Sequence, residues 1–338
     1  MAKLLSVVLL PILIVVLLAG GCRSGDGQAR TLVLYGFSVM EDVMKDEIIP
    51  AFQRHWKERT GEEVRAVTSF AGSGSITNLI IFGAPAQVAM VATELDALSI
   101  KKAGMVTTPW RNFKNEGTYA YSVVSIVTRQ GNPMNIWAFE DLAQQGVEVL
   151  YPDPTTSGGA QWSILALYGS VMKATEASAS LAGQAEARDL LSRVSLNVGS
   201  LPESARRALT QFALGYGDAL LTYENEALTE VSKGKNYEII VPISTIHIEP
   251  KVIIVDRNIQ ETDRLMVEAF VDFLWTDEAQ EAFAKNNFRV SSERIMEKYA
   301  DKYPTVALPF DIEYLGGWEE ATATVIDQIW RSIQREIR

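Results

Sequence analysis

The sequence predicts an α/β protein of two lobes joined by a hinge. From residue 31 onward, short apolar stretches alternate with amphipathic ones, as strands and helices do in layered α/β folds. The 338 residues exceed one ordinary domain and fit two. Two long β-type stretches, residues 121–131 and 239–255, are expected to cross between the lobes. We therefore predict a first lobe from residues 31–123 and 247–338, and a second lobe from residues 124–246.

The individual elements follow from the period of the apolar residues. Strands are predicted at residues 31–35, 63–68, 88–92, 119–128, 148–151, 219–223, 237–241 and 251–255. Helices are predicted at residues 41–57, 159–172, 185–194, 204–214, 261–275, 277–286 and 319–337. Their alternation predicts largely parallel sheets. Ligands of such sheets bind beyond the carboxyl ends of the strands, which places the ligand here in the cleft between the lobes.

Composition excludes several classes of function. Hydrophobic residues make up 47% of the chain, which is enough for a sizeable core. The formal net charge of −11 argues against nucleic acid as a partner. It does not exclude an anionic ligand, because a buried site responds to local dipoles rather than to net charge.

The first residues have the pattern of an export signal. Residues 4–19 are uncharged and apolar, follow Lys3 and end in small residues. The only cysteine, Cys22, follows Gly20-Gly21, a junction that resembles the lipobox of bacterial lipoproteins. We predict a signal peptide at residues 1–21 and a lipidated tether at residues 22–30, which would attach the protein to the membrane. The alternatives are an uncleaved anchor or ordinary cleavage nearby.

The residues needed for catalysis or metal binding are scarce. His55 and His247 are the only histidines, and a structural role is the expectation for both. The sequence has no HExxH motif, no paired cysteines and no adjacent tyrosines, so we expect no catalytic residues, no metal and no cofactor.

Three turns rich in Gly and Ser lie between a predicted strand and a helical stretch, at residues 71–75, 154–160 and 200–206. Each could present free backbone N–H groups at a helix start, which is a favourable place for an anion. A single turn of this kind is more often a plain helix cap. Three of them in corresponding places favour a shared anion site.

Several short blocks carry a family resemblance. They are His55-Trp56-Lys57, Gly72-Ser73-Gly74, Gly131-Asn132-Pro133, Pro152-Asp153-Pro154 with Ser157-Gly158-Gly159-Ala160-Gln161-Trp162, Gly217-Asp218-Ala219-Leu220 with Glu224-Asn225-Glu226-Ala227-Leu228, Glu249-Pro250 and Gly316-Gly317-Trp318. In this order and spacing the chain resembles the periplasmic sulfate- and thiosulfate-binding proteins. The resemblance implies a type II periplasmic binding fold, with two mixed α/β lobes and a two-stranded hinge. It also implies a receptor that serves the permease subunits of an ABC importer.

The same resemblance implies how the ligand is held. In that family a buried dianion is bound by neutral donors, without an ion pair or a metal. The residues implied to bind it here are Ser73, Ser157, Gly158, Gly159, Ala205 and Tyr223, with Gly74, Arg206 and Glu224 behind them. Tyr223 stands where the family has Trp, and Ser204 and Arg207 stand where the family has Gly. The family's Asp near the first strand has no counterpart around residues 36–38.

The ligand within this class stays open. Sulfate or thiosulfate is favoured, molybdate, tungstate and phosphate are the rivals, and a lipoprotein that signals to a membrane sensor is the alternative role. An all-donor site with no carboxylate predicts preference for sulfate over phosphate. It also predicts sulfate binding that is nearly independent of pH between about 5 and 8.

Overall fold

The computed structural model describes residues 29–177 and 183–337. The predicted signal peptide and Cys22 lie outside these ranges. The strands are β1 (Arg30–Phe37), β2 (Val64–Ala71), β3 (Val88–Val91), β4 (Ser122–Arg129), β5 (Val149–Leu150), β6 (Val198–Ser200), β7 (Ala219–Tyr223), β8 (Tyr237–Ile240), β9 (His247–Ile248) and β10 (Lys251–Ile254). The eight predicted strands are all present, and β6 and β9, which the apolar pattern missed, are only two or three residues long.

The helices include each predicted one and several others. They are α1 (Glu41–Val43), α2 (Ile49–Thr60), α3 (Ser73–Ile81), α4 (Glu94–Lys102), α5 (Gly158–Ala177), α6 (Gly183–Leu196), α7 (Ala205–Ala213), α8 (Glu224–Ser232), α9 (Arg264–Phe273), α10 (Asp277–Lys285), α11 (Glu293–Lys298), α12 (Gly317–Ala321) and α13 (Arg331–Ile337). Two π-helical segments, Met44–Ile48 and Thr322–Trp330, join α1 to α2 and α12 to α13. The helices predicted at residues 41–57 and 319–337 are therefore each continuous helical stretches with a widened middle turn.

Two sheets define the two lobes. The first lobe contains the sheet of order β10-β3-β1-β2, and the second contains the sheet of order β6-β5-β7-β4-β8 with β9 also paired to β4. The predicted two-lobed α/β fold is confirmed. The chain passes between the lobes along β4 and returns along β9, which lie side by side with Ser122 opposite Ile248.

The sheets are mixed rather than largely parallel as predicted. Pairs within each lobe, β1 with β2 and β3, and β5 with β6 and β7, are parallel. The strands that enter or leave a lobe, β4 and β10, pair antiparallel to their neighbours. A crossing strand is not held to the parallel direction, because it is not part of a strand-helix-strand repeat.

Apolar side chains build the layers of the core. In the first lobe, Phe52 of α2 is fully buried and meets Phe270 of α9 edge to face, with ring centroids 5.1 Å apart. Gly61 ends α2 with a left-handed φ of 76°, a conformation that costs glycine little. Within the described residues, no helix is both long and apolar enough to cross a membrane.

The C-terminal segment, predicted to belong to the first lobe, contacts both lobes, since its α12 touches α4 of the first lobe. Its helices contact α5 and α6 of the second lobe. The Trp330 indole donates to the Tyr151 hydroxyl at 3.0 Å, and Arg188 pairs with Glu336 at 3.2 Å. The apolar pattern shows which face of a helix is buried, but not which lobe buries it. The other lobe boundaries stay a prediction.

Candidate anion-binding site

A small cavity lies between the two lobes. Its lining is formed by Phe37, Ser38, Val39, Gly72, Ser73, Ala92, Ser157, Gly158, Gly159, Ala205 and Tyr223. These residues lie at or beyond the carboxyl ends of strands in both sheets, where ligands of α/β sheets bind. The cavity is small, with room for about one water-sized group, so an extended solute does not fit between the lobes in this closed arrangement. None of the residues that the structure describes at this cavity has a charged side chain.

Three helices begin at the cavity wall. Ser73, Gly158 and Ala205 are the first residues of α3, α5 and α7. The N–H groups at a helix start have no acceptor within the helix. Among the described residues, the N–H groups of these three residues and of Gly159 have no hydrogen-bond partner in the protein. They are therefore free to donate to a ligand, and the three helix dipoles favour a negative charge there.

Two hydroxyl groups add to these donors. Ser157 and Tyr223 are only about 3% exposed, and neither hydroxyl has a partner among the described residues. Burial, with the charges of Glu226 and Asp96, raises the pKa of Tyr223 well above its usual value. The phenol therefore keeps its proton and can donate it. All six residues implied by the family resemblance to bind the ligand come together at this cavity.

The two lobes are closed on each other around the cavity. The Gly74 N–H of the first lobe donates to the Thr156 carbonyl of the second at 3.0 Å. A Cβ atom at Gly158 would lie 2.7 Å from the Ala92 side chain and 2.9 Å from that of Thr93, so the lobes approach too closely for a side chain there. Gly74 thus joins the lobes and does not contact the cavity.

The Ser73 hydroxyl differs from its expected role. It donates to the Asp96 carboxylate at 2.6 Å and accepts from the Ala92 N–H at 2.8 Å. Only the N–H of Ser73 is then free for a ligand. The expectation of a site without a carboxylate concerned the groups that contact the ligand, and Asp96 is not among the residues that line the cavity; it is buried directly behind Ser73.

Arg206 lies outside the cavity and bridges the lobes. Its guanidinium pairs with Asp42 of the first lobe and with the buried Glu226 of the second, both at 2.9 Å. Burial raises the pKa of Glu226 from 4.5 to about 7, although the charge of Arg206 opposes the rise. Because Arg206 follows Ala205, this bridge holds the start of α7 against the first lobe.

Glu224 lies near the hinge instead of the cavity. Both of its carboxylate oxygens accept from Arg289, at 2.7 and 2.9 Å. The histidines are likewise away from the cavity lining. His55 packs against Phe273 with ring centroids 5.4 Å apart, and His247 lies on β9, where burial lowers its pKa.

The sequence patterns missed part of the lining. Ser38 begins a 3-10 helix directly after β1, and its hydroxyl has no partner among the described residues although the residue is 7% exposed. Ala92 contributes from the end of β3. A helix-cap pattern in the sequence could have pointed to the region around Ala92. The Thr93 hydroxyl caps the following helix, because it accepts from the Asp96 N–H three residues later at 3.2 Å.

Comparison with known proteins links the chain to one family. The sequence pattern of a family described as bacterial extracellular solute-binding protein matches residues 32–289. A sulfate-binding protein of Synechococcus elongatus is 36% identical over 297 residues, which cover 87% of this chain and 83% of that protein. A thiosulfate-binding protein of Pseudomonas aeruginosa is 33% identical, with 93% and 97% of the two chains covered.

Solved structures show the same architecture. The sulfate-binding protein SubI of Mycobacterium tuberculosis superposes with a TM-score of 0.79 at 30% identity, covering 87% of this chain and 98% of that one. A periplasmic thiamin-binding protein superposes with a TM-score of 0.68 at 14% identity. The second likeness concerns the fold alone.

Proposed function

Because the chain belongs to the bacterial extracellular solute-binding protein family, we propose that it captures a tetrahedral sulfur oxyanion outside the cytoplasm and delivers it to an ABC importer. Sulfate is the favoured ligand and thiosulfate the second, since the relatives over most of the chain are sulfate- and thiosulfate-binding proteins. The role is one of binding, and the permease subunits of the importer are the protein partners.

One observation carries this proposal. Neutral donors from both lobes surround one small cavity, and none of the described residues that line it has a charged side chain. Burying a dianion is costly unless its oxygens are hydrogen-bonded. The free N–H groups at three helix starts, together with the Ser157 and Tyr223 hydroxyls, supply such bonds, and bonds to a charged group are about twice as strong as neutral ones. Ser73, Ser157, Gly158, Gly159, Ala205 and Tyr223 are the proposed contacts.

The donor set favours sulfate over phosphate. Sulfate carries no proton near neutral pH and can accept hydrogen bonds on every side, whereas phosphate keeps a proton and needs an acceptor. Among the side chains of the described residues that line the cavity, only the hydroxyl oxygens of Ser38, Ser73, Ser157 and Tyr223 can accept a hydrogen bond. A site that leaves a ligand proton unpaired binds that ligand less tightly.

Attachment to the membrane is a separate part of the proposal. The description of the family as extracellular supports a location outside the cytoplasm, and the Gly-Gly-Cys junction supports a lipid anchor on Cys22. Cys22→Ser should leave the protein without lipid and with residues 1–21 uncleaved, which mass spectrometry of the membrane fraction can show. A wild-type chain that begins well past Cys22 without lipid would contradict the anchor.

Calorimetry of the purified protein against sulfate, thiosulfate, molybdate, tungstate and phosphate tests the ligand. We expect sulfate or thiosulfate to bind with the highest affinity and phosphate to bind far more weakly. Tighter binding of molybdate or tungstate would reassign the ligand within the tetrahedral oxyanions. Tight phosphate binding, or no binding of any anion in the panel, would overturn the proposal.

A further inference from the structure

A buried carboxyl group lies immediately behind the anion cavity. Asp96, on α4, is only 7% exposed. It accepts hydrogen bonds from three hydroxyl groups, those of Ser73 at 2.6 Å, Thr93 at 2.8 Å and Thr77 at 3.2 Å. No Lys, Arg or His of the described residues forms an ion pair with it. A negative charge at Asp96 is therefore held by neutral groups alone.

Asp96 connects to the cavity through Ser73. The Ser73 hydroxyl donates to Asp96, its oxygen accepts from the Ala92 N–H, and Ser73 and Ala92 both line the cavity. The carboxyl group is thus one side chain away from the place where the anion would sit. An ionised Asp96 repels that anion and holds the Ser73 proton away from it.

The other titratable groups around Asp96 do not neutralise it. The elements α3 and β3 carry no charged residue, and Tyr223 of β7 contributes only a phenol. Glu94 of α4 pairs with Arg111 at 2.8 Å, and Lys251 of β10 bonds to the Thr118 hydroxyl at 2.7 Å. The acids of α12, Glu319 and Glu320, are exposed.

Protonation of Asp96 would favour a bound anion in two ways. Burial raises the pKa of Asp96, although the three hydroxyl bonds oppose the rise. A dianion in the cavity raises this pKa further, because like charges disfavour ionisation. A neutral Asp96 no longer repels the anion. It can also donate to the Ser73 oxygen, which frees the Ser73 proton to turn toward the cavity.

We propose that Asp96 sets the affinity of the anion site, and that anion binding is coupled to the uptake of a proton by its carboxyl group. The inference rests on the proposed function. It replaces the pH-independent binding predicted from the sequence. In one range of pH, Asp96 is ionised in the free protein and neutral in the complex, so anion binding takes up a proton. By linkage, anion affinity rises as the pH falls through that range. The rise reaches about tenfold for each pH unit in that range.

Calorimetry of sulfate binding in buffers with different heats of ionisation counts the protons taken up. For the wild type we expect net proton uptake on binding and an affinity that increases as the pH falls, measured over the pH range in which the protein stays folded. Asp96→Asn keeps the shape of the side chain and is neutral at every pH. This variant should bind sulfate with the same affinity across the range and take up no proton.

The other buried acid near the cleft provides the control. Glu226→Gln removes the carboxyl group of the Arg206 bridge and should retain the proton uptake on sulfate binding. Wild-type binding without proton uptake, or uptake that survives in Asp96→Asn and disappears in Glu226→Gln, would overturn the inference and leave the proposed function intact. If Asp96→Asn does not fold, the number of protons that the wild type takes up on binding sulfate tests the inference by itself. If sulfate does not bind, thiosulfate and molybdate serve as probes, and failure of all three would overturn the proposed function and this inference together.

Discussion

The indole nitrogen of Trp162 donates a 2.9 Å hydrogen bond to the backbone carbonyl of Ala92, which joins the second lobe to the first beside the anion cavity. Trp162 is fully buried and lies in the first turns of α5, the helix whose start supplies Gly158 and Gly159. The N–H of Ala92 in turn donates to Ser73. The contact that closes the lobes and the proposed donors of the site therefore belong to one connected network.

Removing this contact should weaken anion binding. Trp162→Phe leaves the Ala92 carbonyl buried without its donor in the closed form, which costs about 1–3 kcal/mol. We expect sulfate affinity, measured by calorimetry, to fall by about tenfold to a hundredfold. Trp137→Phe is the control, because Trp137 is 63% exposed and its indole bonds only to Asn135. Equal affinities for both variants and the wild type would contradict a closing role.

A side chain at Gly158 should prevent full closure. The added Cβ of Gly158→Ala would lie 2.7 Å from the Ala92 side chain, and such overpacking costs about 1–3 kcal/mol. Small-angle scattering should show compaction of the wild type on addition of sulfate and little or none for the variant. The ligand-free variant should unfold at nearly the wild-type temperature, because the clash arises only between lobes. Compaction equal to that of the wild type would show that the approach of Gly158 to Ala92 does not limit closure.

The Ser157 hydroxyl should contribute one charge-assisted bond to the anion. Ser157→Ala removes a buried hydroxyl that has no partner among the described residues, so we expect a loss of about 1.5–3 kcal/mol in sulfate binding and little loss of stability. Ser157→Asp should abolish binding, since it places a like charge against the dianion. A Ser157→Asp protein that still binds sulfate would remove Ser157 from the site.

Protein stability should fall as the pH rises toward neutrality because of Glu226. Its pKa is about 7 in the folded protein, against 4.5 as the ordinary value. The neutral carboxyl group of Glu226 therefore contributes its full share of the free energy of unfolding below pH 4.5. This contribution is lost as the pH rises through about 7. The loss is about 3 kcal/mol, at about 1.4 kcal/mol for each unit of pKa difference.

Urea unfolding at pH values on either side of this range measures the effect. The pH dependence of the wild type should exceed that of Glu226→Gln by the stated amount. Glu203→Gln is the control, since Glu203 is an exposed acid paired with Arg207 at 3.0 Å. If the wild type and Glu226→Gln lose stability equally with pH, another group is responsible.

Much of the fold could be predicted from the sequence, because strands and helices repeat with different periods. The predicted bounds of strand β7 match the structure to the residue, and most other ends agree within three residues. The apolar pattern does not reveal α3 and α4 as helices, because their apolar residues are less concentrated on one face than those of α7 and α10, which have the same length. The turn at residues 71–75 nevertheless has the residues of a helix start. The sequence blocks also bring Ser157, Gly158, Gly159 and Ala205 into one proposed site, which the structure places around one cavity.

The sequence by itself determined the two-lobed α/β fold and the turns that precede α3, α5 and α7, because periodicity and Gly-Ser turns are local properties of the chain. The family followed from the resemblance of its short sequence blocks. Only the tertiary structure decided that Asp96 takes the Ser73 hydroxyl, that Arg206 bridges the lobes and that the C-terminal helices contact α5 and α6. Each of these depends on which distant residue fills a given space or accepts a given proton. Such a choice is made by packing and by the need to pair buried polar groups across the whole molecule.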